Sequence, residues 1–327
     1  MPSVAEDLFL KEREQHAYKY SKSVGQRARK VLVTGGADFI GSHLVEALVE
    51  RGYSVRVVDN FSTGNAARVH PSAELIDADV RKPQPIGAAS RDIDCVFHLA
   101  ALPSVPLSIE NPLETHLVNV VGTINVLQAA RSCSVRRVVF SGSSSVYGEQ
   151  TRMPLDESMS PNPLSPYALQ KLAAEQYTRL FHRLYGIQTL TLRYFNVFGP
   201  RMPTEGAYLT VISNFLEARR AGRPLAIDGD GEQTRDFTHV RDVVRSNLLA
   251  MDSAVADGRA INVGQGRSVS VNWVAARIGG PRTYRAPRIG DVRHTLADHS
   301  LAERILGWRP AITTEQGLSE LIQASGV

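Results

Sequence analysis

The chain contains a tyrosine and a lysine four residues apart, Tyr167 and Lys171, in a stretch that predicts a helix opening at 161–166 and continuing to Tyr185. Side chains at this spacing share one face of a helix, about one turn apart. A phenol has a pKa of about 10, and a neighbouring ammonium group lowers this pKa by stabilising the phenolate. Tyr167 is therefore a candidate general base, with Lys171 as its activator. Ordinary surface residues also occur at this spacing, so the surrounding elements decide between the two interpretations.

A buried strand, a glycine turn and an amphipathic helix are predicted near the start of the chain. The run 31–33 is apolar and too short for a helix, and apolar residues then recur at helical spacing, at Ile40, Leu44, Val45 and Leu48. Gly35 and Gly41 enclose the turn between them. Glycines at such a turn let backbone N–H groups approach a pyrophosphate, which then lies at the positive end of the helix.

An acidic residue follows the second predicted strand, 53–58, at Asp59, which is 18 residues beyond Gly41. A dinucleotide-binding fold places an acid near this position to hold the adenosine ribose. A carboxylate there favours NAD over NADP, because it repels a 2′-phosphate. The alternative is that the glycines only permit a tight turn between strand and helix.

Strand and helix patterns alternate along the first two thirds of the chain. Strands are predicted at 31–34, 53–58, 73–77, 95–99, 137–140 and 189–193, and helices at 42–51, 111–130 and up to Tyr185. This alternation predicts an α/β protein with a doubly wound parallel sheet, a Rossmann-type fold. Beyond about residue 200 the pattern changes, with helices predicted at 212–220, 300–306 and 317–323. These segments predict a smaller, interleaved C-terminal substrate lobe.

These patterns divide the chain into three parts. Residues 1–28 form an N-terminal extension, residues 29–193 plus about 237–264 form the dinucleotide-binding domain, and about 194–236 plus 265–327 form the lobe that binds the substrate.

Composition excludes several classes of protein. With 327 residues and 43% apolar content, the chain is globular and can bury a large core. It has two cysteines, Cys95 and Cys133, which argues against a disulfide framework and for a reducing compartment. Neither a membrane-length apolar run nor a signal-peptide segment occurs, so we predict a cytoplasmic protein without a membrane partner. The net charge of +4 forms no basic stripe, and the nine histidines show no metal-binding spacing. We therefore expect neither a nucleic-acid partner nor a catalytic metal.

From about residue 29 to 325 the chain closely resembles the extended short-chain dehydrogenase/reductases, and among them the nucleotide-sugar 4-epimerases. The motifs that carry the resemblance are Thr34–Gly41, Asp59–Gly64, Phe97–Ala101, Ser143 with Tyr147-Gly148, Tyr167 with Lys171, Leu192–Asn196, Thr234–Phe237 and Gly290–Arg293. The resemblance implies that bound NAD takes a hydride from C4 of a UDP-sugar, that the 4-keto sugar swings within the site, and that the hydride returns to the other face. It also implies catalytic roles for Tyr167 as the base, for Lys171, and for Ser143 as a hydrogen-bond donor to the same sugar oxygen.

The resemblance further implies two sets of binding residues. The NAD-binding set is Gly35, Phe39, Ile40, Gly41, Asp59, Asn60, Ser62, Thr63, Gly64, Asp79, Val80, Leu99, Ala100, Ala101, Tyr167, Lys171 and Tyr194. The substrate-binding set is Ser104, Ser143, Ser144, Ser145, Tyr167, Arg193, Asn196, Leu209, Arg235 and Arg293. Arginine suits a diphosphate through charge-assisted bonds. For Arg235 the alternative is a surface ion pair with Asp236.

The serine-rich turn bears on the reaction and the substrate. Similar sugar dehydratases carry an acid pair at the positions of Ser144 and Ser145, which disfavours dehydration, and similar UDP-glucuronate decarboxylases typically have glutamate at position 145. Thr295 stands where hexose epimerases often have a tyrosine, which suggests room for a larger or charged sugar. UDP-glucuronate and UDP-N-acetylglucosamine both fit such a pocket. Because Ser143, Ser144, Ser145 and Arg193 could supply donors to a carboxylate, we expect epimerisation of UDP-glucuronic acid to UDP-galacturonic acid. UDP-glucose, UDP-N-acetylglucosamine, decarboxylation and an inactive NAD-binding regulator remain alternatives.

One residue departs from the Gly-x-x-Gly-x-x-Gly pattern of these dehydrogenases, because Asp38 replaces the middle glycine. Two charges about 4 Å apart interact by about 4 kcal/mol at the effective dielectric of a protein surface. Aspartate also suits a helix N-terminus, where it can accept bonds from free N–H groups. We expect Asp38 to turn away from the phosphates and NAD to bind more weakly than it would beside a glycine.

A homodimer is also expected from the resemblance, with helices near 111–130 and 167–185 packed against their mates in a four-helix layer. Both helices carry apolar residues beyond one narrow stripe, at Val118, Leu127, Leu180, Phe181 and Leu184.

Overall fold

The computed structural model describes residues 29–203, 210–288 and 290–326. Its strands are β1 (Lys30–Thr34), β2 (Ser54–Asp59), β3 (Glu74–Asp77), β4 (Cys95–His98), β5 (Arg137–Ser143), β6 (Gln188–Tyr194), β7 (Val197–Phe198), β8 (Leu225–Asp228), β9 (Thr234–Asp236), β10 (Thr238–His239), β11 (Asp257–Val263), β12 (Ser268–Ser270) and β13 (Arg282–Arg285). Its α-helices are α1 (Phe39–Glu50), α2 (Pro83–Ala89), α3 (Val105–Glu110), α4 (Pro112–His116), α5 (Gly122–Ser132), α6 (Pro166–Tyr185), α7 (Val211–Arg220), α8 (Val240–Asp252), α9 (Val271–Ile278), α10 (Ser300–Leu306) and α11 (Thr314–Ser325). The predicted N-terminal extension, 1–28, lies outside the described residues.

Seven parallel strands form the central sheet, in the order β11-β6-β5-β4-β1-β2-β3. Their side chains are largely buried because helices cover both faces, as a parallel sheet requires. Helices α1 and α8 pack on one face through Leu44, Val45 and Val243, and helices α2, α5 and α6 cover the other. The predicted doubly wound, Rossmann-type sheet is confirmed.

The strand order reverses between β1 and β4. From β1 the chain builds outward to β3, and it then returns to place β4 on the other side of β1. In open α/β sheets, ligands bind at such a reversal, in the crevice beyond the carboxyl ends of the strands. This edge carries the glycine turn after β1 and residues 99–101 after β4.

A second apolar core lies in the smaller lobe, beyond the carboxyl edge of the sheet. It joins α7, α9 and α11 with short strand pairs, and its members include Ile212, Phe215, Leu225, Phe237, Val274 and Leu318. The pairs are β7 with β10, β8 with β13, and β9 with β12. The segments that build this lobe alternate along the chain with β6, α8 and β11 of the large sheet.

The helix predicted at 111–130 is interrupted. It consists of α4, a π-helical turn at Leu117–Val121, and α5. Asn119 lies in this turn and is buried, and its side-chain amide bonds both the N–H and the carbonyl of Leu102. The turn therefore fixes the loop that follows β4. Within the described ranges, no helix combines the length and the apolar character needed to cross a membrane.

Candidate active site

A cleft of about 980 Å³ lies between the carboxyl edge of the sheet and the smaller lobe. Its walls come from the turn after β1, the end of β5, the first turns of α6, and residues of the smaller lobe. A smaller cavity adjoins it beyond β2 and β3, and the two share Gly35, Asp38, Ser62 and Thr63. The cleft thus runs continuously from the predicted adenosine position to the predicted diphosphate position.

The three predicted catalytic residues meet on this cleft. Tyr167 and Lys171 lie in the first turns of α6, which begins at Pro166 with the Ser165 hydroxyl as its cap, and Ser143 ends β5. Pro166 suits the first position of a helix, because its missing N–H is not needed there. The strand end and the helix start therefore bring a hydroxyl, a phenol and an ammonium group to one wall.

Lys171 is 4% exposed, and its ammonium group donates to the carbonyl of Ser141 at 2.9 Å. Burial lowers the pKa of Lys171 to about 8, because the charged form loses solvation. The β5 backbone therefore holds this ammonium group at the wall of the cleft that Tyr167 also lines.

Two serine hydroxyls support the neighbouring groups. Ser143 Oγ accepts from the N–H and the hydroxyl of Ser145, at 3.2 and 2.9 Å. The buried Ser108 hydroxyl accepts from the N–H of Tyr167 at 3.0 Å, which ties α3 to the start of α6. The sequence motifs did not predict this supporting role of Ser108, because α3 and α6 come together only in the folded structure.

The glycine turn fits a pyrophosphate. Gly35 has φ +71°, and a Cβ there would lie 2.7 Å from the N atom of Ala100; a Cβ on Gly41 would lie 2.0 Å from the Gly35 carbonyl. No other residue type is therefore compatible with this geometry. The turn leads directly into α1, whose first N–H groups receive no side-chain cap and remain directed toward the cleft.

Asp59 holds the turn in place. Its carboxylate accepts from the N–H of Ala37 at 2.9 Å and from that of Phe61 at 2.8 Å, and burial raises its pKa. Asn60 donates to Asp79 at 3.2 Å and accepts from the Ser62 hydroxyl at 2.8 Å. These groups line the smaller cavity, where an adenosine would lie.

Sixteen of the predicted NAD-binding residues line the two cavities. In the large cleft lie Gly35, Phe39, Ile40, Gly41, Ser62, Thr63, Leu99, Ala101, Tyr167, Lys171 and Tyr194, and in the smaller cavity lie Asp59, Asn60, Asp79, Val80 and Ala100. Gly64 lines neither, and its NAD contact stays a prediction. A Cβ on Gly64 would lie 3.0 Å from Ala37 and from Asp59, so a glycine is needed there for packing of the turn.

At the other end of the cleft lies Arg235, whose side chain is 13% exposed. Its guanidinium donates to the carbonyls of Thr234, at 3.0 Å, and Arg293, at 3.3 Å, and it forms an ion pair with Asp291 at 3.7 Å. Burial lowers the pKa of Arg235. The alternative of an ion pair with Asp236 is wrong, because that carboxylate accepts from three backbone N–H groups on the far side of β9.

Asn196 and Thr295, two further residues singled out in the sequence, are hydrogen-bonded to each other near Arg235. The Asn196 amide donates to the carbonyl of Asp236 at 3.0 Å and to the Thr295 hydroxyl at 3.2 Å, and both Asn196 and Thr295 line the cleft. The predicted substrate residues Ser104, Ser143, Ser144 and Ser145 also line it. Ser104 additionally caps α3, accepting from the N–H of Leu107.

Two predicted substrate residues lie elsewhere. Arg193 is buried in β6 and forms two bonds with Glu175, at 2.9 and 2.6 Å, away from the cleft. An inward-facing arginine of a sheet needs a buried counter-charge, and α6 supplies it. Arg293 is exposed and pairs in a bidentate manner with Asp230, both bonds being 2.8 Å. Leu209, the tenth predicted substrate residue, lies outside the described residues.

Arg288 lines the cleft instead of Arg293, and its Nε donates to Asp228 at 2.6 Å. The sequence contains a signal for it, because Arg288 precedes the Gly290–Arg293 motif by two residues, whereas Arg293 ends that motif. The motif does not reveal which of the two arginines faces the cleft, because Arg288 pairs with Asp228 of β8 and Arg293 pairs with Asp230. Within the described residues, no three His, Cys, Asp or Glu side chains cluster so as to hold a metal ion.

The fold and the site together define a short-chain dehydrogenase/reductase of the extended type. The chain belongs to the NAD-dependent epimerase/dehydratase family, whose family model matches residues 31–264. A putative UDP-glucose 4-epimerase of Methanocaldococcus jannaschii is 41% identical over 300 residues, covering 89% of this chain and 97% of that protein.

Solved structures agree with this family. The UDP-glucose 4-epimerase of Thermotoga maritima with UDP-glucose has a TM-score of 0.86 and 37% identity, covering 90% of this chain and 97% of that one. The UDP-glucuronic acid 4-epimerase of Bacillus cereus, in complex with UDP-glucuronic acid and NAD, has a TM-score of 0.84 and 29% identity, covering 91% and 99%. The predicted family, cofactor NAD and enzyme class, an NAD-dependent UDP-sugar 4-epimerase, are confirmed.

Proposed function

We propose that this enzyme interconverts UDP-glucuronic acid and UDP-galacturonic acid. The observation that carries the proposal is the serine run 143–145 on the cleft wall, in which Ser144 and Ser145 add two hydroxyls beyond that of Ser143. Hydroxyl donors suit the carboxylate of a uronic acid, because hydrogen bonds to an ionised acceptor are about twice as strong as neutral ones. The small Thr295, held by Asn196, leaves space for that carboxylate.

The residues of the catalytic wall support a proposal for the proton transfers. Tyr167 accepts the proton of the sugar 4-hydroxyl and later returns it to the same oxygen, while Ser143 donates to that oxygen. Lys171, fixed on the Ser141 carbonyl, supplies the positive charge that favours the phenolate. Bound NAD supplies the hydride acceptor at C4 and is regenerated in each cycle.

The diphosphate of the substrate is assigned to Arg235 and Arg288. Arg235 has the stronger case, because its side chain is largely buried and lines the cleft, and its ion pair with Asp291 is long, at 3.7 Å. A diphosphate would add a second and more highly charged counter-ion at this guanidinium. Arg288 can contribute once its bond to Asp228 is shared or released.

The proposal also includes a homodimer, formed through one face of α6. Leu169, Tyr177 and Leu180 are exposed on this face, and Leu113 of α4 is 68% exposed nearby. The expectation that Leu127 and Phe181 lie at this surface is wrong. Both side chains are buried in the core of the protomer.

Separate incubations with UDP-glucose, UDP-N-acetylglucosamine and UDP-glucuronic acid, followed by separation of the products, test the substrate. We expect uronate turnover to exceed the other two at least tenfold, without release of carbon dioxide. Preference for a neutral sugar, or a UDP-pentose as the main product, would overturn the proposal.

A further inference from the structure

Asp38 occupies the point where the two cavities meet, directly before α1. Its backbone is extended, with φ −80°, so this position does not require a glycine. The expected cap is absent, because the Asp38 side chain accepts no bond from the N–H groups of α1. Asp38 and Thr63 both line the two cavities, and α1 starts directly after Asp38. A pyrophosphate bound at the glycine turn would therefore lie close to this carboxylate.

The charges that surround Asp38 do not neutralise it. The Asp59 carboxylate faces it from the end of β2 and is fixed by its bonds to Ala37 and Phe61. Among the described residues, the cation that acts electrostatically on Asp38 is Arg68, from the short helix at 66–68. Arg68 lines the large cleft, and its guanidinium donates to the carbonyl of Arg201 at 3.2 Å.

The other charged groups of the smaller cavity are already paired. Arg81 bonds both Asp79 and Glu114, so this cation is engaged by two carboxylates. A pyrophosphate that enters the turn thus meets the Asp38 carboxylate, near which lie one more carboxylate, Asp59, and one arginine, Arg68.

We propose that NAD binds to this protein together with one proton, which the Asp38 carboxyl group takes up. A protonated Asp38 removes the repulsion from the pyrophosphate and gains a hydroxyl that can donate to a phosphate oxygen. The inference concerns cofactor binding alone, so it holds or fails independently of which UDP-sugar is the substrate.

The direction of the pH dependence follows from linkage. Burial, followed by the charge of Asp59, raises the pKa of Asp38 to about 6 in the free protein, and the Thr63 bond and Arg68 oppose this rise. A bound pyrophosphate raises that pKa further, because it adds negative charge. Between these two pKa values NAD affinity therefore falls with rising pH, by up to about tenfold per pH unit, and below pH of about 6 it levels off.

The primary test is calorimetric titration of NAD into cofactor-free protein at pH 5.5, 6.5, 7.5 and 8.5. At pH 7.5 the titration is repeated in buffers of different ionisation enthalpy, which counts the protons taken up. We expect a loss of affinity of up to about tenfold per pH unit above 6.5, and uptake of close to one proton per NAD. Equilibrium dialysis of NAD-loaded protein at pH 6.5 and 8.5 gives the same comparison without stripping the cofactor.

Three variants test whether Asp38 is the group that takes up the proton. Asp38→Asn and Asp38→Gly should bind NAD with little pH dependence, take up no proton, and exceed the parent affinity at pH 8.5 by tenfold or more. Asp77→Asn is the matched control, because this exposed acid ends β3 outside both cavities yet acts electrostatically on Asp59. It should behave like the parent protein. Affinity that is independent of pH in the parent, or undiminished proton uptake in Asp38→Asn, would overturn the proposal.

Discussion

The cofactor half and the substrate half of the cleft are built in different ways. The cofactor half consists mainly of backbone from a few short, contiguous segments, such as 34–41 and 59–64, at the reversal of the strand order. The substrate half consists of side chains from three distant segments, at Asn196, at Arg235, and at Arg288 with Thr295, held by bonds such as that from Asn196 to Thr295. Backbone geometry at the first site is encoded locally, whereas the second site exists only once the smaller lobe has folded onto the sheet.

The catalytic residues lie between the two halves, and replacing the predicted base among them should lower turnover more than any other change. Tyr167→Phe should lower turnover by about 10² to 10⁴, the share of a general base, while UDP-sugar binding is kept. Steady-state kinetics and a binding titration measure the two quantities. Tyr177→Phe, on the exposed side of the same helix, is the control and should retain full activity. Near-full turnover of the Tyr167→Phe enzyme would rule out the assignment.

The substrate half can be tested with two arginines whose roles the sequence alone does not separate. Arg235→Ala should raise the KM by about ten- to a hundredfold, since a hydrogen bond to a charged group contributes about 1.5–3 kcal/mol. Arg293→Ala should change the KM less than about twofold, because an exposed ion pair contributes little. The reverse order of effects would place the diphosphate at Arg293 and contradict the geometry of this half.

A third change alters the shape of the substrate half. Thr295→Tyr should reduce turnover of UDP-glucuronic acid relative to UDP-glucose by about tenfold or more, because a large ring would occupy the space assigned to the carboxylate. The comparison uses the ratio of kcat/KM values for the two sugars, so a general loss of stability cancels. An unchanged ratio would show that the carboxylate lies elsewhere.

The smallest effect on catalysis is expected at the dimer surface, which lies outside both halves. The parent protein should be a dimer by light scattering at micromolar concentration, and Leu180→Glu should shift it toward a monomer because a charge at an apolar contact opposes association. Leu75→Glu, at a similarly exposed leucine of β3, is the control. A monomeric parent protein would end the dimer proposal.

The contrast between the halves also explains what the sequence could predict. The glycine turn, Asp59 and the Tyr167–Lys171 pair were predicted because each depends on residues close together in sequence, whose period and turn chemistry are local. Arg193 was assigned to the substrate from a motif, but its direction depends on Glu175 of another element. Arg288 was missed for the same reason, because a loop motif does not indicate which of two nearby arginines faces the cleft.

The central claim is that the C4 hydrogen of UDP-glucuronic acid leaves and returns within one catalytic cycle on this wall. It is tested most directly with UDP-glucuronic acid that carries deuterium at C4, with the product analysed by NMR. The account predicts UDP-galacturonic acid that retains the deuterium at C4, with the configuration there inverted. Loss of the label to solvent, inversion at another carbon, or formation of a UDP-pentose would contradict it.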